Sequence, residues 1–588
     1  MLRRRRRKLF YQSEERDSRG RIFFIGLFFV FLFLILLFRL FSLQVIEHSF
    51  FVARADTLHS TTRILTPQRG IIYCQDKEKN LIPVAINKQY YSIYAVPKEI
   101  KNPEEVSKKI ADLLSLPFSA VFSRLNKPTD PYEPLLKKTE DKALIKKVKD
   151  LQIKGIYVRE VPYRYYPLGS FASQVIGFVG EEKGDNQIRG RYGLETYYDN
   201  VLSGRRGIFQ GMKDALGHLI HSDFSQEESE VEGASLITTI DKNVQFVSEK
   251  VLKKLIKGRK ATGGSIIVMD PRNGKILALA NYPTFNLNNF SQEKDYSVYR
   301  NSAIETRYEP GSVIKPITMA AGLDLHAVTP ETTYVDKGYY DVGGHRLVNY
   351  RHLVFGKVDM NKVLEMSIDT GAIFVANRIG LSNLRRYFKR FGLAEKTGID
   401  LPGEIRGDLS NIEYPKANPT NFATSSFGVG IAVTPMELIR AYTAIVNKGK
   451  MVTPYVVESI KDSSGIHSAV TSPEPIPVIS SKTAETLTTM LVNVIEKGYG
   501  GRAKIKGYTL AGKTGTAYIP LLNKKGYSND VTHTFIGFFP AYSPRFLILV
   551  KMDRPQWGKE AASHTVTLAF REVEKFLINY YNIPPDEE

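Results

Sequence analysis

Tyr308-Glu309-Pro310-Gly311-Ser312-Val313-Ile314-Lys315-Pro316 carries the strongest local signal in the 588-residue chain. Pro310-Gly311 is a turn that opens a helix and sets Ser312 near its N-terminus, where the helix dipole and free N–H groups favour developing negative charge. Ser312 and Lys315, at i and i+3, share a helix face and can touch. A lysine desolvated beside a serine loses its proton and serves as a base towards the hydroxyl. The spacing alone is not selective: Ser291-Gln292-Glu293-Lys294 repeats it in a polar stretch without the turn. A chain this long contains about one or two such strings by chance.

Lys-Thr-Gly occurs twice. Lys396-Thr397-Gly398 lies in a turn-rich loop before Leu401-Pro402-Gly403-Glu404, and reads as structural. Lys513-Thr514-Gly515-Thr516 follows Gly512 and runs into strand-like Ala517-Tyr518-Ile519. Glycines at 512 and 515 let a substrate backbone approach closely, with Lys513 and two hydroxyls available for a carboxylate. Around these motifs, Gly263–Met269 and 275–280 flank Asp270-Pro271-Arg272-Asn273-Gly274 and predict a hairpin. Helical patterns cover 316–323, 361–379, 435–447 and 563–581, and strands are expected over 507–519 and 533–550. Residues 236–588 therefore predict an α+β domain with an antiparallel sheet flanked by helices. Upstream, 90–96 reads as a strand and 103–114 as an amphipathic helix in a mixed, elongated domain over 47–235. The acidic stretch 225–233 reads as a surface connector, and Tyr163–Tyr166 as packing.

Ile22–Phe38 is an apolar run without charge or proline. Continued to Ile46 as a helix it spans roughly 30 Å of hydrocarbon. Residues 1–21 hold nine basic and three acidic side chains, which by the positive-inside rule keep this tail in the cytoplasm. An uncleaved signal-anchor over 22–46 follows, with the rest of the chain outside the cell membrane, away from cytoplasmic cofactors and ATP. The formal charge of +20 is otherwise spread without a basic stripe, against a nucleic-acid partner. The single cysteine, Cys74, excludes an intramolecular disulfide framework and Cys-cluster metal sites. His345, His352, His533 and His564 have no ligand spacing, so no metal and no cofactor is expected.

Ser312-x-x-Lys315, Ser367-Ile368-Asp369 and Lys513-Thr514-Gly515, in that order, resemble the three motifs of penicillin-binding proteins and serine β-lactamases. Arg69-Gly70-Ile71-Ile72-Tyr73, Gly190-Arg191-Tyr192-Gly193-Leu194-Glu195, Leu236–Asp241, Asn273–Ala278 and Phe427–Pro435 resemble class B members, most like the division-specific (FtsI-type) group through Arg300-Asn301-x-Ala303-Ile304. The resemblance implies an N-terminal transmembrane helix, a pedestal or dimerisation-type domain over 47–235 and a transpeptidase domain over 236–588. It also implies the chemistry. Ser312 attacks the D-Ala–D-Ala carbonyl of a peptidoglycan stem peptide, Lys315 is the base and Ser367 relays protons. Lys513 supplies positive potential, Thr514 and Thr516 hold the carboxylate beside Gly515 and Asp369, and the N–H groups of Ser312 and Thr516 form the oxyanion hole. β-Lactams are implied as covalent inhibitors. A polytopic SEDS-type glycosyltransferase and other division membrane proteins are implied as partners.

Asp369 stands where the middle motif usually has Asn. An ionised carboxylate accepts from Lys315 or Lys513 but donates no N–H. Elongation-type members resemble this Ser-x-Asp form, which keeps an elongation role as an alternative to septal synthesis. A carboxypeptidase or β-lactamase-like hydrolase would use the same serine with water as acceptor, and a silent morphogenesis scaffold would keep the fold alone. Ser367 as a plain helix cap, and Thr514 and Thr516 as plain strand residues, are the structural alternatives.

Overall fold

Every residue of Gly263–Met269 is buried, which requires cover on both faces of its sheet. The strand (β1) pairs antiparallel with Ile276–Tyr282 (β2) across the expected turn. Three strands from the far end of the sequence complete the sheet: Ala511–Pro520 (β3), Tyr527–Phe539 (β4) and Phe546–Asp553 (β5), in the order β2-β1-β5-β4-β3. All its ladders are antiparallel. Successive side chains alternate between two cores, as the period of two demands. Ile266, Val268, Phe535, Ile548 and Val550 join a core with Lys242–Arg259 (α1) and Val566–Tyr580 (α6). Ile267, Met269, Ile536, Phe538 and Leu549 join a larger core with Lys315–Asp324 (α2) and Pro435–Val446 (α5). Between α2 and α5 lie Met360–Glu365 (α3) and Asp369–Ile379 (α4).

This computed structural model describes residues 3–51, 60–181, 188–213, 219–220, 226–462, 464–465, 467–469, 473–521, 524, 526–558 and 561–586. By compactness the chain forms two units, residues 68–204 with 232–588, and residues 1–67 with 205–231. In the first unit a seven-stranded sheet joins 72–75, 81–95, 133–139 and 156–165 to 235–241, 457–461 and 467–469. Arg69 and Arg164 grip the buried Glu195, each at 2.6 Å. Both arginines, from separate segments, satisfy one carboxylate that would otherwise be costly to bury. Tyr166 is buried beside Glu195, and Tyr163 packs edge-on to Tyr90, so this tyrosine cluster is packing.

In the second unit, Ser60–Leu65 and Gln226–Glu228 pair with Gly207–Lys213. The acidic stretch read as a connector thus contributes a strand, because backbone pairing needs no apolar side chains; Ser225 lies outside the described residues. One helix runs from Arg3 to Phe41 and continues as a π-turn to Ile46. Gly20–Ile46 is long and apolar enough to cross a membrane, and the helix extends upstream through the basic tail. The 103–114 helix forms as read, and the 90–96 strand is part of a longer one, 81–95. The pattern over 361–379, read as one helix, splits into α3 and α4.

Candidate active site

Ser312 sits in a single 3₁₀ turn, Gly311–Ile314, that feeds directly into α2. Gly311 has φ +60°, and its N–H donates to Gly428 O at 3.0 Å. A Cβ on Gly428 would lie 2.2 Å from Gly311 O, so position 428 is glycine because the Ser312 turn rests on it. Tyr308 and Val433 exchange backbone hydrogen bonds, and the buried Tyr442 hydroxyl donates to Val313 O at 2.7 Å. The turn is thereby fixed on both sides. Ser312 is half-buried and Lys315, one helical step on, is 1% exposed.

The break between α3 and α4 delivers the second motif. Ser367 has φ +54°, a left-handed backbone that costs a non-glycine residue roughly 1–3 kcal/mol. Its side chain does not cap α4: the N-cap is Ile368, with no side-chain cap. Instead Ser367 Oγ accepts from Lys513 Nζ at 2.8 Å and from Lys315 Nζ at 3.2 Å. Lys315 Nζ also donates to Ser367 O and pairs with Asp369 Oδ1 at 2.7 Å. The unusual left-handed serine lets one residue offer both oxygens to the two lysines while Asp369 comes round to the same ammonium.

Two buried lysines face the site, and Asp369 pairs with one of them, Lys315. Burial lowers Lys315 below the ordinary lysine value, and Asp369 pulls it back up. Burial bears hardest on Lys513, and the neighbouring Lys315 charge lowers it further. Burial thus favours the neutral amine at both lysines, and the Asp369 carboxylate opposes it at both.

Lys513 projects from β3, the edge strand. Strand alternation puts Lys513 and Gly515 on one face and Thr514 and Thr516 on the other. A Cβ on Gly515 would lie 2.8 Å from Pro310 O and 3.0 Å from Val313 Cγ1, and one on Gly512 would lie 2.9 Å from Ile536 O. The sequence reading gave both glycines to substrate approach. Their missing side chains instead admit the Ser312 turn and the neighbouring strand. Thr516 Oγ1 accepts from Ala562 N at 3.2 Å, and Thr514 is buried with its carbonyl accepting from Lys513 Nζ at 3.1 Å. Ser312, Lys315, Ser367, Asp369, Lys513 and Gly515 thus converge, with Thr514 and Thr516 on the same edge strand.

The other Lys-Thr-Gly is structural: Thr397 N donates to Glu404 Oε1 at 2.7 Å, which occupies that carboxylate. His533 is a buried core residue bonded to Thr565, and Cys74 is buried. Sequence reading passed over Glu309, whose carboxyl meets Tyr527 OH at 3.2 Å and is pushed by burial up to about 7. It also passed over Asp336, Asn349 and Thr370, a buried set behind the second motif. Their contacts are long-range, and only Thr370's place beside Asp369 gave a hint.

A turn-borne serine with a lysine one helical step on, a second serine between two lysines and a third motif on an edge strand define the serine acyl-transfer class of penicillin-binding enzymes. Comparison with known proteins agrees. Residues 264–573 match the penicillin binding protein transpeptidase domain, and residues 64–238 match the penicillin-binding protein dimerisation domain. The chain belongs to the penicillin-binding protein transpeptidase family, as a class B member. It is 34% identical to stage V sporulation protein D of Bacillus subtilis, covering 94% of this chain and 85% of that one. It is 29% identical to peptidoglycan D,D-transpeptidase FtsI of Escherichia coli (92% and 89% covered) and to MrdA of Acinetobacter baumannii (94% and 87%). Among solved structures, penicillin binding protein 3 of Mycobacterium tuberculosis, complexed with aztreonam, superposes with a TM-score of 0.68 at 23% identity, covering 89% of this chain and 98% of that one.

Proposed function

We propose that the protein is a membrane-anchored peptidoglycan D,D-transpeptidase that crosslinks stem peptides in septal wall synthesis through an acyl-enzyme on Ser312. The observation that carries this reading is the convergence of Lys315 and Lys513 on Ser367 Oγ beside the Ser312 turn. Ser312 Oγ adds to the penultimate D-Ala carbonyl, and its proton passes to Lys315, whose burial favours the neutral amine that serves as base. The tetrahedral oxyanion is held by the N–H groups of Ser312 and Thr516. A fixed donor aimed at developing charge is worth about 3 kcal/mol of barrier. Collapse breaks the peptide bond, and the leaving amine takes a proton through Ser367, freeing D-Ala. An amine of a neighbouring strand then attacks the ester, restoring Ser312 and forming the crosslink.

The edge position of β3 supports substrate binding as an added strand, its carboxylate held by Thr514 and Thr516 under the potential of Lys513. Residues 22–46 serve as the anchor, with tail 1–21 cytoplasmic and the catalytic domain, 236–588, outside the cell membrane. Residues 47–235 form the pedestal, contacting a SEDS-type glycosyltransferase and other division proteins. β-Lactams acylate Ser312 by the same route. An elongation role is the second reading, favoured by Asp369 in the middle motif.

Labelling the full chain in detergent with a fluorescent penicillin, followed by peptide mapping, tests the proposal. Stable label on the Ser312 peptide, lost in Ser312→Ala, is expected. No label on folded protein would leave the scaffold reading, and label that forms and then vanishes would indicate a hydrolase. Localisation of the tagged protein at the septum or along the side wall separates division from elongation.

A further inference from the structure

We propose that Asp336, Asn349 and Thr370 form a positioning device that fixes Ser367 and Asp369 against the two lysines. This rests on the assignment of Ser367 and Asp369 to the site of Ser312. The need for such a device is local. Helix α4 begins with Ile368 at its N-cap, which has no side-chain oxygen for the free N–H groups of the first turn. The motif residue before it holds a left-handed backbone.

The missing cap is supplied from elsewhere in the chain. Asn349 Oδ1 accepts from Thr370 N at 3.1 Å, taking the place of a local cap. Asn349 is oriented in turn, because its Nδ2 donates to both oxygens of Asp336, at 3.0 and 3.1 Å, and to Leu353 O at 3.2 Å. Thr370 Oγ1 is bound a second time, at 2.6 Å from Asp336 Oδ1 and 3.1 Å from Tyr334 OH. Asp336 is anchored by the backbone N–H groups of Gly338 and Phe355, at 3.0 and 2.8 Å. Asp336 and Asn349 are each 2% exposed and Thr370 6%, so water does not compete for these bonds.

Thr370 is covalently next to Asp369, and it is the one residue of the first turn held through both backbone and side chain. Among the described residues, none of the three hydrogen-bonds to a lysine. They act through the placement of Ser367 Oγ, whose 2.8 and 3.2 Å contacts are lost with a small rotation of the α4 start.

Thr370→Val removes the hydroxyl at nearly constant shape and leaves Asp336 its bonds from Asn349, Gly338 and Phe355, so the domain keeps its carboxylate anchor. Single-turnover acylation of the full chain by fluorescent penicillin reads two quantities, the amplitude for folded sites and the limiting rate for their alignment. Thr370→Val is expected to keep the wild-type amplitude and noncovalent affinity while the limiting rate falls tenfold or more, with Thr370→Ser restoring it to within about threefold. Asn349→Ala provides an independent variant with the same expected rate loss. A wild-type rate in Thr370→Val and Asn349→Ala, with Ser312→Ala unlabelled, would overturn the positioning role and leave the site assignment intact. So would a loss of amplitude at unchanged rate. Label persisting in Ser312→Ala would overturn the site assignment, and this inference with it.

Discussion

Gly515→Ala is expected to slow acylation by moving the Ser312 turn, without touching any group of the reaction. The new Cβ would lie 2.8 Å from Pro310 O, 3.0 Å from Val313 Cγ1 and 3.3 Å from Val313 N. Two of these neighbours are backbone atoms of the turn, which cannot rotate away as a flexible side chain does. Restoring ordinary contact requires the turn and strand to part by about 0.6 Å, when a misplacement near 1 Å costs roughly a hundredfold in rate. The acylation rate should therefore fall on the order of tenfold, with about 1–3 kcal/mol of stability lost to overpacking. Time-resolved fluorescent-penicillin labelling gives the rate, and thermal unfolding of the same sample gives the stability. Gly512→Ala is the control: its Cβ would lie 2.9 Å from Ile536 O and 2.9 Å from Phe535 Cζ, on the neighbouring-strand side. It should lose comparable stability and acylate within about twofold of wild type. A wild-type rate in Gly515→Ala, or equal slowing in both variants, would refute the reasoning.

Asp369→Asn removes the carboxylate that holds the proton on Lys315, while burial continues to favour the neutral amine. The rising limb of acylation rate against pH should move to lower pH, and a limb that stays or moves upward contradicts the ion-pair account. Glu195→Ala strips the shared partner from two buried arginines and should cost about 3–5 kcal/mol in chemical denaturation; a loss under about 1 kcal/mol would mean the arginines find other partners. Glu309, raised from 4.5 to about 7 by burial, holds its proton when folded and releases it when unfolded within that window. Its contribution is therefore full below the unfolded value and is lost as pH rises towards 7. Stability followed by denaturation from pH 4.5 to 7 should fall more steeply in wild type than in Glu309→Gln, and parallel curves would count against the assignment.

Several elements were legible because their determinants are local. The Pro103–Leu114 helix carries proline in its first turn and an apolar stripe, and its sequence bounds are those of the structure. The β1–β2 hairpin is written in its turn residues, and the Ser312–Lys315 spacing in the helical period. The split at 366–368 was not legible, since Met366-Ser367-Ile368 contains no glycine or proline to mark a left-handed residue. What holds Ser367 there is a network of long-range bonds that leaves no periodicity near the motif. Gly428 and Gly515 were visible as glycines, but their purpose lies in a turn more than a hundred residues away in sequence, at |i−j| distances that pattern reading cannot bridge.

The order of strands in the central sheet sets a timetable for biogenesis. β1 pairs with β2 at once, but its other neighbour is β5, and both β5 and the site's edge strand β3 are made only after the intervening helical region. A nascent chain made only as far as the second motif carries Ser312, Lys315 and Ser367 with no Lys513 and with one edge of β1 bare. Such an edge templates strand exchange with other chains, and closing it across the whole intervening helical region is slow. The three motifs are therefore together only once β3 has been made, and a copy interrupted before β5 carries an adhesive edge in place of a closed sheet.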